Sequence, residues 1–261
     1  MKKLSTLLAT VLTGLPILLG QPVLAHVIWF ESQTSNYELL FGHPELNERE
    51  PLIFSKFEGA TAYDSNKNTI PTTIDFVNEN LFVTPQSSAS ALTAFYDNGY
   101  WIENVDGTFS NLTQEEAAAI NYVNTTNFVK YTKYLAAWSD DISESFGLPL
   151  EIMPLGNPLG LKSGDELPIQ VLLNGNILAN PTVEYLGETL SIDANGVAII
   201  PIGAGGLQVI EASYQNLATI NPGISYATTL SVQPTSVPEP SFILGLGVLG
   251  FSFLVGKKEK S

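Results

Sequence analysis

β patterns dominate the apolar and polar positions between residues 26 and 236: short apolar or alternating runs broken by Gly, Pro, Asn and Asp. His26 to Phe30 reads as an opening strand and Tyr37 to Phe41 as the next, parted by the polar Ser32-Gln33-Thr34-Ser35-Asn36. Leu52 to Phe57, Ile74 to Val77, Leu81 to Pro85 and Ala91 to Tyr96 have strand composition too. Asp97-Asn98-Gly99 then predicts a hairpin turn into Tyr100-Trp101-Ile102. One helical region interrupts the strands. Thr113-Gln114-Glu115-Glu116 is a capping box that opens a helix over Glu115 to Val123. Asn127 starts a second helix, with Phe128, Tyr131, Tyr134, Leu135 and Trp138 at helical spacing, a stripe suited to core packing.

Past Ser145 the character changes. Phe146 to Pro154 is extended, with prolines at permitted positions. Leu167 to Leu173, Thr182 to Tyr185, Thr189 to Ile192, Val197 to Ile202, Leu207 to Tyr214 and Ile224 to Val232 follow as short strands. Turns at Asn174-Gly175-Asn176 and Asp193-Ala194-Asn195-Gly196 separate them, and the latter lacks the spacing of an EF-hand loop. The expected fold class is mainly β: a β-rich N-terminal region over 26–145 with helices near 113–138, then an Ig-like antiparallel β-sandwich over 146–233.

Both ends read as addresses. Met1-Lys2-Lys3, the apolar Leu4 to Gly20, the breaker Gln21-Pro22 and Val23-Leu24-Ala25 form a signal peptide with cleavage after Ala25. At the other end, 234–261 holds Val237-Pro238-Glu239-Pro240, the apolar run Phe242 to Val255, and Gly256-Lys257-Lys258-Glu259-Lys260. That run is short for a span of about 20 residues, as suits a temporary anchor with a cationic cap. The ordered set resembles the PEP-CTERM sorting signal of Gram-negative bacteria, which implies handling by an exosortase and an exopolysaccharide-producing cell. The usual arginine of the basic cluster is lysine here. The expected location is the periplasm, cell envelope or outer surface, with a C-terminal membrane anchor open to removal.

With no cysteine, an exported chain has no disulfides and rests on its core. Residues 26–236 carry 24 acidic and six basic residues, a formal excess of 18 negative charges, and Arg49 is the only arginine. Such a surface repels nucleic acid and excludes it as a partner. No Gly-x-Ser-x-Gly elbow, His-Glu-x-x-His helix or phosphate loop occurs. The adjacent pairs Glu115-Glu116 and Asp140-Asp141 suit solvation better than acid–base work. A binding protein is expected rather than an enzyme.

Two histidines occur in the chain, His26 and His43. Cleavage after Ala25 would make His26 the first residue, whose α-amine and ring Nδ1 close a six-membered chelate around a divalent transition metal. His43, in Phe41-Gly42-His43-Pro44, is near enough in sequence to add a third nitrogen. Such a set suits Ni²⁺, Cu²⁺, Co²⁺ and Zn²⁺ over Ca²⁺ or Mg²⁺, and a T-shaped or square-planar arrangement favours copper or nickel. Glu31 or Glu45 is a candidate fourth ligand. Taken singly, His43 reads as a turn residue and His26 as a frayed terminus; taken together, with the cleavage site, they read as a metal site.

Ala25-His26-Val27-Ile28-Trp29-Phe30, Gly42-His43, Gly147 to Pro154 (Gly-Leu-Pro-Leu-Glu-Ile-Met-Pro), Asn157-Pro158-Leu159 and Gly164-Asp165-Glu166-Leu167 follow in an order that resembles a bacterial family, domain of unknown function 4198. Its members are often described as periplasmic components of cobalt or nickel uptake, and they tend to have more histidines. The resemblance implies a bound nickel or cobalt ion and an inner-membrane metal-uptake transporter as partner, whereas affinity alone would choose copper. Two other classes stay open. One is a copper histidine-brace enzyme acting on polysaccharide, and the other a structural or adhesive envelope protein whose metal site has decayed.

Overall fold

A computed structural model describes residues 26–216 and 223–233. The predicted signal peptide 1–25 and the sorting segment 234–261 lie outside the described residues. The fold is mainly β, with 57% strand and 7% helix, as expected of a sandwich. Three sheets stack in layers. The central one runs β15 (Glu188–Thr189), β14 (Thr182–Tyr185), β17 (Gln208–Asn216), β18 (Gly223–Val232), β10 (Tyr122–Leu135), β8 (Ala91–Asn104), β4 (Phe57–Tyr63), β5 (Thr69–Ile70), with β9 (Phe109–Leu112) on β8. Strands from before and after residue 146 thus share one sheet. They meet where β10 and β18 pair in parallel, Thr126 opposite Gly223 through Leu135 opposite Val232. The other ladders are antiparallel.

The first outer sheet joins β1 (Val27–Ser32), β2 (Tyr37–His43), β7 (Asn80–Pro85) and β6 (Thr72–Val77), with β3 (Glu48–Glu50) on the end of β2. The second joins β11 (Leu150–Pro154), β12 (Glu166–Leu173), β13 (Asn176–Ile177) and β16 (Val197–Pro201). Period-two geometry sorts the side chains of β10 between these layers. Val129, Tyr131 and Leu135 pack with Ile152, Ile169 and Ile200 of the second outer sheet. Tyr134, one residue out of phase, packs with Ile28, Phe30 and Leu39 of the first.

This two-sided burial overturns the second predicted helix. Residues 129–135 are buried without interruption, so alternation is erased from the sequence and an accidental helical spacing of aromatics remains. β-branched and aromatic residues in Val-Asn-Thr-Thr-Asn-Phe-Val were the contrary signal. The capping box is real: Glu116 N donates to Thr113 Oγ1 and Thr113 N to the Glu116 carboxylate. Its helix α1 (Gln114–Ala118) is shorter than predicted, because Tyr122 onward joins the sheet. Asp97-Asn98-Gly99 is a bulge rather than a hairpin. Asp97 pairs with Val129 and Tyr100 with Asn127, so Asn98 and Gly99 oppose Phe128 alone and β8 continues to Asn104.

β1 is an edge strand of its sheet, and its edge meets the face of the central sheet. The Ile28 carbonyl accepts from Thr229 Oγ1 (2.7 Å), which is also bonded to Thr132 Oγ1 (2.7 Å). The His26 carbonyl, two residues earlier on the same side, accepts from Lys130 Nζ. Edge carbonyls that would otherwise be buried unpaired are thereby satisfied. Among the described residues no helix is long and apolar enough to cross a membrane.

The second outer sheet is tied to the centre by a buried ion pair, Lys133 Nζ to Glu151 Oε1 at 2.7 Å. Glu151→Gln leaves the Lys133 ammonium buried and unpaired, and should destabilise the protein by about 3–5 kcal/mol in urea denaturation. Replacing both, Lys133→Met with Glu151→Leu, should cost clearly less than either single change, since no charge is then stranded.

Candidate functional site

The β1–β2 register sets the site. Val27 opposes Gly42, so the next step along the ladder brings His26 beside His43. Their ring centroids are 4.4 Å apart, tilted by 51°, and the His26 ring also stacks on Phe41 at 5.4 Å. β3 closes over the end of β2, with Glu48 opposite His43 and Glu50 opposite Phe41. The close approach needs Gly42: its φ is +139°, and a Cβ there would lie 2.4 Å from the Glu48 carbonyl oxygen. The chain then turns through Pro44–Leu46, a 3₁₀ turn ended by Asn47 in the left-handed region. This carries Glu45 back toward His43.

Each imidazole therefore has a carboxylate on one nitrogen. His26 Nε2 is 2.6 Å from Glu50 Oε1, and His43 Nδ1 is 3.3 Å from Glu45 Oε1. The two carboxylates differ. Glu50 is about half exposed, whereas the Glu45 side chain is only 4% exposed. Neither Glu45 oxygen has a hydrogen-bond partner among the described residues. Glu31, the other candidate ligand, is committed elsewhere: Arg49 Nη2 donates to its Oε2 (2.8 Å) and Trp29 Nε1 lies 3.5 Å from its Oε1.

Behind Glu45 lies a charged interior that the sequence reading missed, formed by Glu184 on β14, Glu211 on β17 and Lys130 on β10. Burial and then the nearby Glu45 and Glu184 carboxylates push the Glu211 carboxyl up to about 8. Burial and Glu45 also raise Glu184 above the usual carboxylate range. Burial, aided by Lys56, brings Lys130 down to about 8. At neutral pH Glu211 thus holds a proton, so that Glu45 does not face a second negative charge there. A signal for these groups was present: Lys130 and Glu211 sit inside the apolar runs Phe128-Val129-Lys130-Tyr131 and Val209-Ile210-Glu211-Ala212. Glu50, in an exposed Glu-Arg-Glu, offered none.

Among the described residues, no three His, Asp or Glu side chains already stand in an arrangement that holds a metal ion. The side chains nonetheless have the chemistry for one. Two imidazoles lie side by side, and a buried carboxylate with orphaned oxygens adjoins them. With Nε2 on Glu50, His26 keeps Nδ1 for the chelate that a free α-amine would complete. His43 keeps Nε2.

The raised Glu211 has a consequence for stability. Its folded pKa lies above its unfolded value, so the folded state binds the extra proton; stability is full below the unfolded value and lost as pH rises through the folded one. Between about pH 5 and 8 the protein should lose a few kcal/mol on this account. Glu211→Gln should flatten that decline in denaturation midpoints measured across the same window.

The family model described as domain of unknown function 4198 matches residues 23–216. No curated protein matches the chain. The matched stretch runs from the predicted cleavage junction through both histidines and the Glu50, Lys130, Glu184 and Glu211 positions to the end of β17. The chain belongs to the domain-of-unknown-function 4198 family.

Proposed function

We propose that this chain is an exported transition-metal-binding protein that takes up nickel or cobalt outside the cytoplasmic membrane, through His26 and His43, in support of metal uptake. One observation carries the reading. The two histidines of the chain are neighbours; Glu50 is hydrogen-bonded to one ring nitrogen of His26 and Glu45 lies 3.3 Å from one ring nitrogen of His43, with the opposite nitrogen of each left over. A carboxylate on the far nitrogen is what fixes the tautomer and orientation of a metal-ligating imidazole. The α-amine of a mature His26 would supply a third nitrogen, and this donor set suits Ni²⁺, Co²⁺ or Cu²⁺. Nickel or cobalt is preferred over copper on the family resemblance.

The rest of the reading follows from the chain's two ends. Export by the signal segment would both expose the α-amine and deliver the protein to the periplasm or envelope. The C-terminal signal would bring exosortase-type machinery and a temporary membrane anchor. An inner-membrane uptake transporter would be the recipient of the metal.

The test is calorimetric titration of Ni²⁺, Co²⁺ and Cu²⁺ into protein beginning at His26, beside protein with one extra N-terminal residue. Binding should be lost on adding that residue and on His43→Ala. Glu50→Gln should weaken it by about 10–100-fold while leaving the fold intact. Affinity should fall as pH drops below the α-amine range of about 7.7–8.0, because the ion competes with protons for that nitrogen. Equal, weak binding by all versions would overturn the metal reading and leave an acidic envelope protein.

A further inference from the structure

His26 and Lys130 line a cleft of about 810 Å³ together with residues of β8, β14, β17 and β18. Its volume falls within the range of about 300–1,000 Å³ usual for pockets that enclose a small organic ligand. Its walls also combine aromatic faces (Trp101, Phe128, Tyr214) with neutral amides (Asn98, Asn180, Gln215). Hydroxyls from threonine and serine fill the gaps.

Three features narrow the ligand. The chain carries a formal charge of −15, yet among the described residues His26, Lys130 and Glu184 are the only ionisable groups besides Tyr214 that face this cleft. Lys130 is engaged by the His26 carbonyl, so its ammonium is already committed and not free for a phosphate or carboxylate. Trp101 is 43% exposed and set edge-to-face against Phe128, ring centroids 6.5 Å apart, an apolar surface held in a fixed orientation. Asn98 is fixed as well: Lys56 Nζ donates to its backbone oxygen (3.0 Å) and its Oδ1 (3.2 Å), which turns its amide N–H groups into the available donors. A smaller cleft of about 240 Å³ lies beside the first and shares Trp101 and Phe128 with it, so the binding surface continues past the aromatic pair.

A neutral, polyhydroxylated ligand with one apolar face matches this wall. Its C–H face would lie on the electron-rich ring surface, and its hydroxyls would pair with amides and hydroxyls that bear no charge. We infer that the cleft is a binding site for a neutral oligosaccharide, with Trp101 and Phe128 as its platform. The site does not depend on metal bound at the histidines.

Full-length protein in excess EDTA is titrated with maltotetraose, cellotetraose and chitotetraose, and with the charged tetragalacturonate, by calorimetry and tryptophan fluorescence. At least one neutral tetrasaccharide should bind with one-to-one saturation at millimolar concentration or below. Trp101→Ala and Phe128→Ala should each weaken that binding about tenfold, an effect of the size expected for a lost aromatic contact. Trp101 is already exposed, so its removal leaves the core intact. His43→Ala, which removes a proposed metal ligand but no wall of the cleft, should leave saccharide binding unchanged. Failure of every neutral saccharide to bind, preference for the charged one, or binding indifferent to both aromatic variants would overturn the inference while leaving the metal reading untouched.

Discussion

The buried pair of Lys133 and Glu151 is the constraint around which the layers are assembled. Lys133 is 1% exposed and Glu151 0%, so both charges have been taken out of water at a cost that only complete pairing offsets. Completeness is what the structure supplies. Besides Lys133 Nζ, Glu151 accepts from Ser145 Oγ (2.6 Å), Phe146 N (2.9 Å) and Gly147 N (3.1 Å). Burial alone would raise this carboxyl; Lys133 and those donors hold it below its ordinary value. The same four contacts fix the chain reversal that leads from β10 to β11, and with it how the second outer sheet sits on the central one. The Pro-Leu-Glu-Ile segment is therefore a structural device, and its glutamate is no candidate for surface chemistry.

The opposite face of β10 uses the same means for another end. Lys130, three residues before Lys133 and pointing the other way, reaches the carbonyl of His26. Thr132, between them in sequence, shares Thr229 with the carbonyl of Ile28. An edge strand normally presents unpaired carbonyls as a liability. Here they are the attachment points that hold the first described residues against the sheet. The histidine pair is thus positioned by the central layer, through backbone, without any covalent tether.

Placing Glu45, Glu184 and Glu211 close together with Lys130 creates an electrostatic excess that the fold resolves by keeping a proton on Glu211. The surface needs no such device, because exposed carboxylates are solvated and screened. Acidity in this chain therefore has two separate meanings. Most carboxylates serve solubility, while Glu184 and Glu211 gather near Glu45, the carboxylate that adjoins His43.

Much of the β architecture was legible in the amino-acid order. The strands on either side of Ser32–Asn36, the turns at Asn174-Gly175 and Asp193–Gly196, and the capping box at Thr113 follow from local rules: alternation, left-handed residues and side-chain-to-backbone bonds. The nearness of His26 and His43 was legible too, since two consecutive antiparallel strands bring those positions side by side. What failed was β10 and the Asp97–Gly99 bulge. A strand covered on both faces has no polar side to alternate with, and a turn sequence closes a hairpin only if no neighbouring strand captures the chain beyond it. Glu184, Glu211 and Lys130 were beyond reach for a further reason. They come from strands separated by up to about 170 residues from His43, and parallel pairing of β10 with β18 decides that they meet. Sequence alone determined which segments extend, where they turn and which rare nitrogens are available. Tertiary structure decided which carboxylates lose their water beside those nitrogens, because burial is a property of the assembled layers and not of any single strand.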